Sequence, residues 1–333
     1  DTDRSRGLGD VYKRQQYVPQ YLHSNEIFDQ EWLKYACNVL EIKLPNREYE
    51  IACYAYERLL FSLLVASDYY ATTYQKENYC IESYGTITDI NKLYQIYSDT
   101  DVMKKIRDYQ KTEEHTEQNI NSLRTELFLE SEQTLLRHLD ENIYYLEAPT
   151  GSGKSNTAMN LSFQLIRNCD CLDKIMYIYP FNTLVEQNES ILRKIFGENP
   201  EAIEQIKVVN SITPIYQTEV KEENEKYVTA CQKALLDRQF FNYPIAVSTH
   251  VTLFRTMFGD NREDAFSFHQ LANSVIVLDE IQSYRNEIWT EIIVFLKMFA
   301  KLLHMKVIIM SATLPDLDIL SEEEVQAAVS YTH

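Results

Sequence analysis

IYYLEAPTGSGKS, residues 143–155, reads as a short apolar strand, a glycine-rich loop and the opening of a helix. Gly151 and Gly153 permit a tight turn in which successive backbone N–H groups point into one concavity. Lys154 adds a cation and Ser155 a hydroxyl at the helix start. Oriented donors, a lysine for the outer phosphates and an oxygen ligand for Mg²⁺ together specify a cradle for a nucleoside triphosphate, with ATP and Mg²⁺ as its occupants. The loop comprises Ala148, Pro149, Thr150, Gly151, Ser152, Gly153, Lys154 and Ser155, with Ala148 where the GxxxxGK[ST] pattern has its first glycine. A plain strand-to-helix turn is the bland alternative, and the Lys-Ser pair at the right offset argues against it.

Outward from this loop, apolar strands alternate with helices. Strands are expected at IMYIYP from Ile175, IKVVN from Ile206, IAVST from Ile245, VIVLDE from Val275 and KVIIM up to Met310. Helices are expected between them, among them Thr183 to Phe196 and Glu287 to Leu303. Near-continuously apolar strands interleaved with helices predict a parallel sheet covered on both faces. In such a sheet the reactive crevice lies beyond the carboxyl ends of the strands.

Four polar clusters fall at those ends: the loop, Asp279-Glu280, Ser311-Ala312-Thr313 and Pro180-Phe181-Asn182-Thr183. An acidic strand end is the usual complement of a phosphate loop. Asp279 is expected to hold Mg²⁺ opposite Ser155, and Glu280 to orient and deprotonate the attacking water. Gln282 is placed to sense the γ-phosphate. Ser311 and Thr313, read as hydroxyls on a tight turn, would pass a nucleotide-dependent shift to a bound strand, or serve only as caps. Asn182 and Thr249 are small polar donors suited to a nucleic-acid backbone. His250 reads as structural rather than catalytic.

Upstream the chain is helical. A helix from about Ser24 or Asn25 to Leu40 precedes a second from about Glu48 to Gln75. In the second, Ile51, Ala55, Leu59, Leu63 and Ala66 recur at helical spacing, widened by Tyr54, Leu60 and Leu64. A stripe this broad predicts burial among other helices. Residues 76–118 are polar and charged, with a short helix near 87–97 and a linker-like run after it. A helix from about Ile120 to Leu139 then leads into the loop.

The chain of 333 residues carries a net charge of −18 and is 45% hydrophobic, enough for a packed core. That acidity excludes a general nucleic-acid coating protein, which needs phosphate-neutralising charge. Six cysteines without zinc-ligand spacing read as reduced residues of a cytoplasmic protein. No apolar run reaches membrane-spanning length, so no membrane partner is expected.

APTGSGKS, PFNTLVEQ, VSTH, LDEIQSY and MSATLP together resemble motifs I, Ia, Ib, II and III of superfamily 2 helicases. LDEIQ, the EAPTGSGK form of the loop and the upstream NSLR (Asn121 to Arg124) resemble more specifically the helicase/nuclease of type I CRISPR systems. That resemblance implies an HD-type nuclease domain followed by two RecA-like domains. Its activity would be ATP-driven translocation on single-stranded DNA, with cutting of foreign DNA recruited by an RNA-guided surveillance complex. Pro180, Asn182, Thr183, Thr249, Ser311 and Thr313 would then contact DNA or couple to it.

In the same resemblance RLLFSLLVASD ends on Asp68, a ligand of a divalent transition metal in the HD domain. The implied layout is an α-helical HD remnant over residues 16–110 and the first RecA-like domain over 111–328. Residues 1–15 and 329–333 look like translated adapter sequence and are set aside. On this reading the chain is cut at both ends. Only His23 precedes the Asp68 helix as an HD candidate, so nuclease action is not expected. Without a second RecA-like domain and its arginine finger, worth about 10³ to 10⁵ in rate, ATP would bind weakly and turn over slowly. Another superfamily 2 motor, or a nucleotide-binding module without enzymatic activity, remains the alternative.

Overall fold

The computed structural model describes residues 46–77, 84–109, 120–209, 237–281 and 286–312. The expected helix before Leu40, His23, both end segments, Gln282 and Thr313 lie outside the described residues. In order, the elements are α1 (Asn46–Glu77), α2 (Ile90–Ser98), α3 (Asp101–Arg107), α4 (Ile120–Arg137), β1 (Ile143–Glu147), α5 (Lys154–Asn168), β2 (Lys174–Tyr179), α6 (Asn182–Phe196), α7 (Pro200–Glu204) and β3 (Ile206–Val209). Then follow β4 (Ile245–Thr249), α8 (His250–Phe258), two 3₁₀ turns (Arg262–Ala265 and Phe268–Leu271), β5 (Ser274–Leu278), α9 (Asn286–Leu302) and β6 (Lys306–Ser311).

Chain contacts divide the protein into two compact units, residues 1–54 and residues 55–333. Of the first, only the opening turns of α1 are described. The second holds a six-stranded sheet of order β1-β6-β5-β2-β4-β3 in which every pair is parallel. The strand register pairs Glu147 with Ser311, Ile178 with Leu278 and Tyr179 with Thr249, so the carboxyl ends finish along one edge.

The inner strands β2, β4, β5 and β6 are buried on both faces, which is why they lack polar alternation, while the edge strands β1 and β3 are partly exposed. Ile175, Tyr177 and Tyr179 point into one core with Val275, Val277, Ile308 and Met310, closed by Phe128 of α4, Phe163 of α5 and Phe196 of α6. The alternate residues Met176, Ile178, Ile276, Leu278, Val307 and Ile309 are equally buried. α8 packs on β2 and β4, and α9 on β6.

Two expectations change. After the short helix near 87–97 the sequence marked no further helix, yet α3 forms with Thr100 as its N-cap, and Leu93, Tyr97, Met103 and Ile106 enter the core of the sheet. The linker-like run through Lys111, Glu113 and Glu114 lies outside the described residues. Arg107 makes a two-pronged ion pair with Glu132 of α4 at 2.6 Å, and Glu132 also accepts from Asn160 of α5. This clamp fixes the segment to the helix that carries the phosphate loop.

α1 keeps the expected stripe at Ile51, Ala55 and Ala66 but departs from it at Leu63 and Leu64. Ala55, Val65 and Ala66 are buried, but Leu63 and Leu64 are 44% and 70% exposed. Ser62 is fully buried in their place. Its hydroxyl donates to Phe266 O at 2.8 Å and accepts from His269 N at 3.0 Å. A small hydrogen-bonding residue lets the helix approach backbone that a leucine would hold off.

Candidate functional site

The phosphate loop begins where β1 stops. Ala148 N donates to Ser311 O at 3.2 Å, carrying the β1–β6 ladder one step past the strand. Ala148 has no positive φ, so no glycine is needed there. Gly151 and Gly153 are left-handed, at φ 81° and 89°, a conformation costly for any other residue. Gly153 opens α5 without a side-chain cap, which leaves the first amides of the helix to a ligand. Lys154 is buried and donates its Nζ to Ala148 O, while Ser155 is exposed beside it.

β5 carries the opposing acids. Asp279 N donates to Ile178 O at 3.0 Å, so the β2 ladder positions the residue just beyond the strand. Glu280 N then donates to Asp279 Oδ1 at 2.9 Å, and Glu280 itself sits at φ 52°. A glutamate in the left-handed region is strained, and such strain concentrates at functional sites. Burial pushes the Asp279 carboxyl up to about 6, with the Glu280 charge adding to the rise and Lys154 opposing it. His250 packs against the backbone of Asp279 and Ile178, fully buried, and burial lowers its imidazole to about 4. The imidazole is therefore neutral at neutral pH.

The loop and the acids face one cavity of about 650 Å³, lined by Thr150, Gly151, Gly153, Lys154, Ser155, Asp279 and Glu280. Only β6 separates β1 from β5 in the sheet, so two segments distant in sequence open onto the same space. The donor set fits Mg²⁺ and a triphosphate: hard oxygen ligands on one wall, backbone donors and an ammonium on the other. Pro149 and Ser152 shape the turn, Ser152 N donating to Pro149 O at 3.1 Å.

Arg124, the last residue of NSLR, lines this cavity, and its Nε donates to Gly151 O at 2.7 Å. Its position upstream of the loop gave no spacing from which contact is derivable. Tyr97 supports the same region, donating its hydroxyl to Asn156 O at 3.1 Å.

A second cavity of about 810 Å³ lies farther along the same edge. Pro180, Asn182, Thr183 and Thr249 line it, together with Arg238, Arg255, Glu263 and Asp264. Thr249 caps α8, accepting from Thr252 N at 3.3 Å, so part of its hydrogen-bonding capacity is used within the protein.

Ser311 is placed otherwise than expected. It is the last residue of β6, fully buried and paired with Glu147, and not a hydroxyl on a turn. The β1–β6 pairing extends the strand one residue past Met310. Asp68 is exposed on α1, and no group of three or more His, Cys, Asp or Glu suited to a metal occurs among the described residues. Of the described cysteines, Cys169 is half-buried and Cys171 exposed, and neither forms a disulfide.

The profile of the DEAD/DEAH box helicases matches residues 125–320, more than half of the chain. The CRISPR-associated nuclease/helicase Cas3 of Haloferax volcanii is 25% identical over 179 residues, covering 52% of this chain and 19% of that protein. Among solved structures, T. fusca Cas3-ADP is similar with 17% identity and a TM-score of 0.43, covering 62% of this chain and 24% of that one. The DUF1998 helicase MrfA bound to DNA is similar with 15% identity and a TM-score of 0.39, covering 67% and 29%. The chain thus spans about a fifth of the curated relative.

Proposed function

Because this chain belongs to the DEAD/DEAH box helicase family, we propose that it is the ATP-gripping RecA-like domain of a motor on single-stranded DNA. In this reading the motor is joined to an HD-type nuclease and clears foreign DNA in CRISPR antiviral defence. The observation that carries the proposal is the single cavity shared by Lys154-Ser155 and Asp279-Glu280. The likeness to Cas3 supports the CRISPR assignment.

Gly151, Gly153 and the first amides of α5 bind phosphate oxygens, and the Lys154 ammonium neutralises the outer phosphates. Ser155 and Asp279 would hold Mg²⁺, which when bound neutralises charge between the β- and γ-phosphates. Glu280 orients the attacking water and takes its proton, and Gln282 monitors the γ-phosphate. Pro180, Asn182, Thr183 and Thr249 form the DNA wall. Ser311 and Thr313 pass the nucleotide state toward it.

Asp68 is assigned to the transition-metal site of the HD part, with residues 16–110 as that part and 111–328 as the motor domain. At a net charge of −18 the protein depends on delivery to DNA, and an RNA-guided surveillance complex is the partner that supplies it. No described helix is long and apolar enough to cross a membrane, and the cytoplasm is the proposed location.

Titrating a fluorescent ATP analogue with and without Mg²⁺ tests the core of this proposal. Binding should require Lys154, weaken at least about tenfold in Lys154→Ala, and lose its Mg²⁺ dependence in Asp279→Asn. Equal binding by the Lys154→Ala protein would overturn the reading.

A further inference from the structure

Two large apolar side chains stand in solvent at the mouth of the second cavity. Phe181 is 61% exposed and Val251 is 58% exposed, and both line that cavity. Their placement follows from the sheet. Tyr179 of β2 pairs with Thr249 of β4, and each exposed residue lies two positions beyond its paired strand end. Phe181 has an extended backbone (φ −135°, ψ 150°) and no aromatic partner among the described residues, unlike the ring clusters around Phe240 and Phe299.

The charge around this pair is balanced. Arg238 and Arg255 line the cavity, and so do Glu263 and Asp264. In a chain of net charge −18, such a groove cannot hold a nucleic-acid strand mainly by ion pairing with phosphates. Stacking of bases on an aromatic face supplies affinity that needs no net charge and accepts any base.

We propose that Phe181, flanked by Val251, is a platform on which an unpaired base of single-stranded DNA stacks. This rests on the reading of the cavity as a DNA groove and names the part of the strand that the protein feels there. The sugar-phosphate backbone meets the small polar residues Asn182 and Thr249, and the base meets the ring.

The experiment compares Phe181, Phe181→Ala and Phe181→Trp forms of the 333-residue chain. Each is titrated with a labelled single-stranded DNA and with the same strand made abasic throughout the bound stretch. Thermal unfolding checks that the exposed substitutions leave the fold intact. Phe181→Ala should lose roughly tenfold in affinity for the ordinary strand and nothing for the abasic one. Phe181→Trp should keep the affinity, with its indole fluorescence quenched on binding. An equal loss on both strands, or no loss on either, overturns the stacking platform while leaving the DNA groove standing. Failure of the parent protein to bind either strand overturns the groove itself.

Discussion

The two cavities on the carboxyl edge of the sheet are built by opposite means. The nucleotide cavity concentrates charge: Lys154, Arg124, Asp279 and Glu280 converge on about 650 Å³. The groove beside it, about 810 Å³, carries as many charged residues, Arg238, Arg255, Glu263 and Asp264, but sets them among small polar groups and the exposed Phe181 and Val251 on segments from β2, β3, β4, α8 and the first 3₁₀ turn. A site that grips a compact, highly charged ligand needs few groups at high field. A site that follows a polymer needs many weak contacts over a length. Substitutions should therefore act sharply in the first and by small steps in the second.

The sharpest break in this contrast is Glu280→Gln. Removing a general base while keeping its shape should lower steady-state ATP hydrolysis by about 10² to 10³-fold with nucleotide affinity retained. Phosphate release, measured in a protein assembly that hydrolyses ATP, checks this. A loss confined to nucleotide affinity would assign Glu280 to binding instead.

A second effect is on stability. Asp279 has a folded-state value near 6 against 3.8 for a free side chain, so its ionised form is destabilising in the fold. Stability associated with the protonated carboxyl is present below the unfolded value and lost as pH rises through about 6. Asp279→Asn should therefore stabilise the nucleotide-free protein at pH 7.5 by about 1–3 kcal/mol, several degrees in unfolding midpoint. Well below pH 3.8, where both states carry the proton, the gain should vanish. Calorimetry at the two pH values reads it. No gain at pH 7.5 would show that the site is less desolvated than its burial indicates.

The smallest expected effect lies in the groove. With two arginines offset by two acids, the logarithm of DNA affinity should fall with the logarithm of salt at a slope no steeper than about −1.4. Arg255→Ala should flatten it by about 0.7. A steep slope in the parent protein would mean that the groove works by charge after all, and the contrast between the two cavities would fail.

The nucleotide cavity was legible because its parts are short and rigidly spaced. GSGKS carries its own backbone geometry, and LDE carries both acids on one strand end. The departure at Ala148 was legible too, and the structure supplies its reason in the absence of positive φ. Arg124 escaped because its contact with Gly151 spans a helix and a strand, and no local period encodes that distance. Ser311 was placed on a turn because apolar residues end at Met310; a pairing partner on β1, invisible locally, lengthens the strand. In α1 the sequence offers overlapping stripes. Leu63 and Leu64 are the more apolar choice, but Ser62 faces the body because Phe266 O and His269 N are there to meet it.

By its own letters the sequence determined the class of the protein: alternating apolar strands and helices, a phosphate loop, and acids at a strand end. These follow from backbone sterics and local burial patterns, which act over a few residues. Tertiary structure alone decided that the sheet runs β1-β6-β5-β2-β4-β3. With that order it set which strand ends share a cavity, which face of α1 is covered, and that Phe181 and Val251 stand together in solvent. Those outcomes depend on packing between segments far apart in the chain, where the energy of a contact belongs to the pair and neither partner encodes it alone.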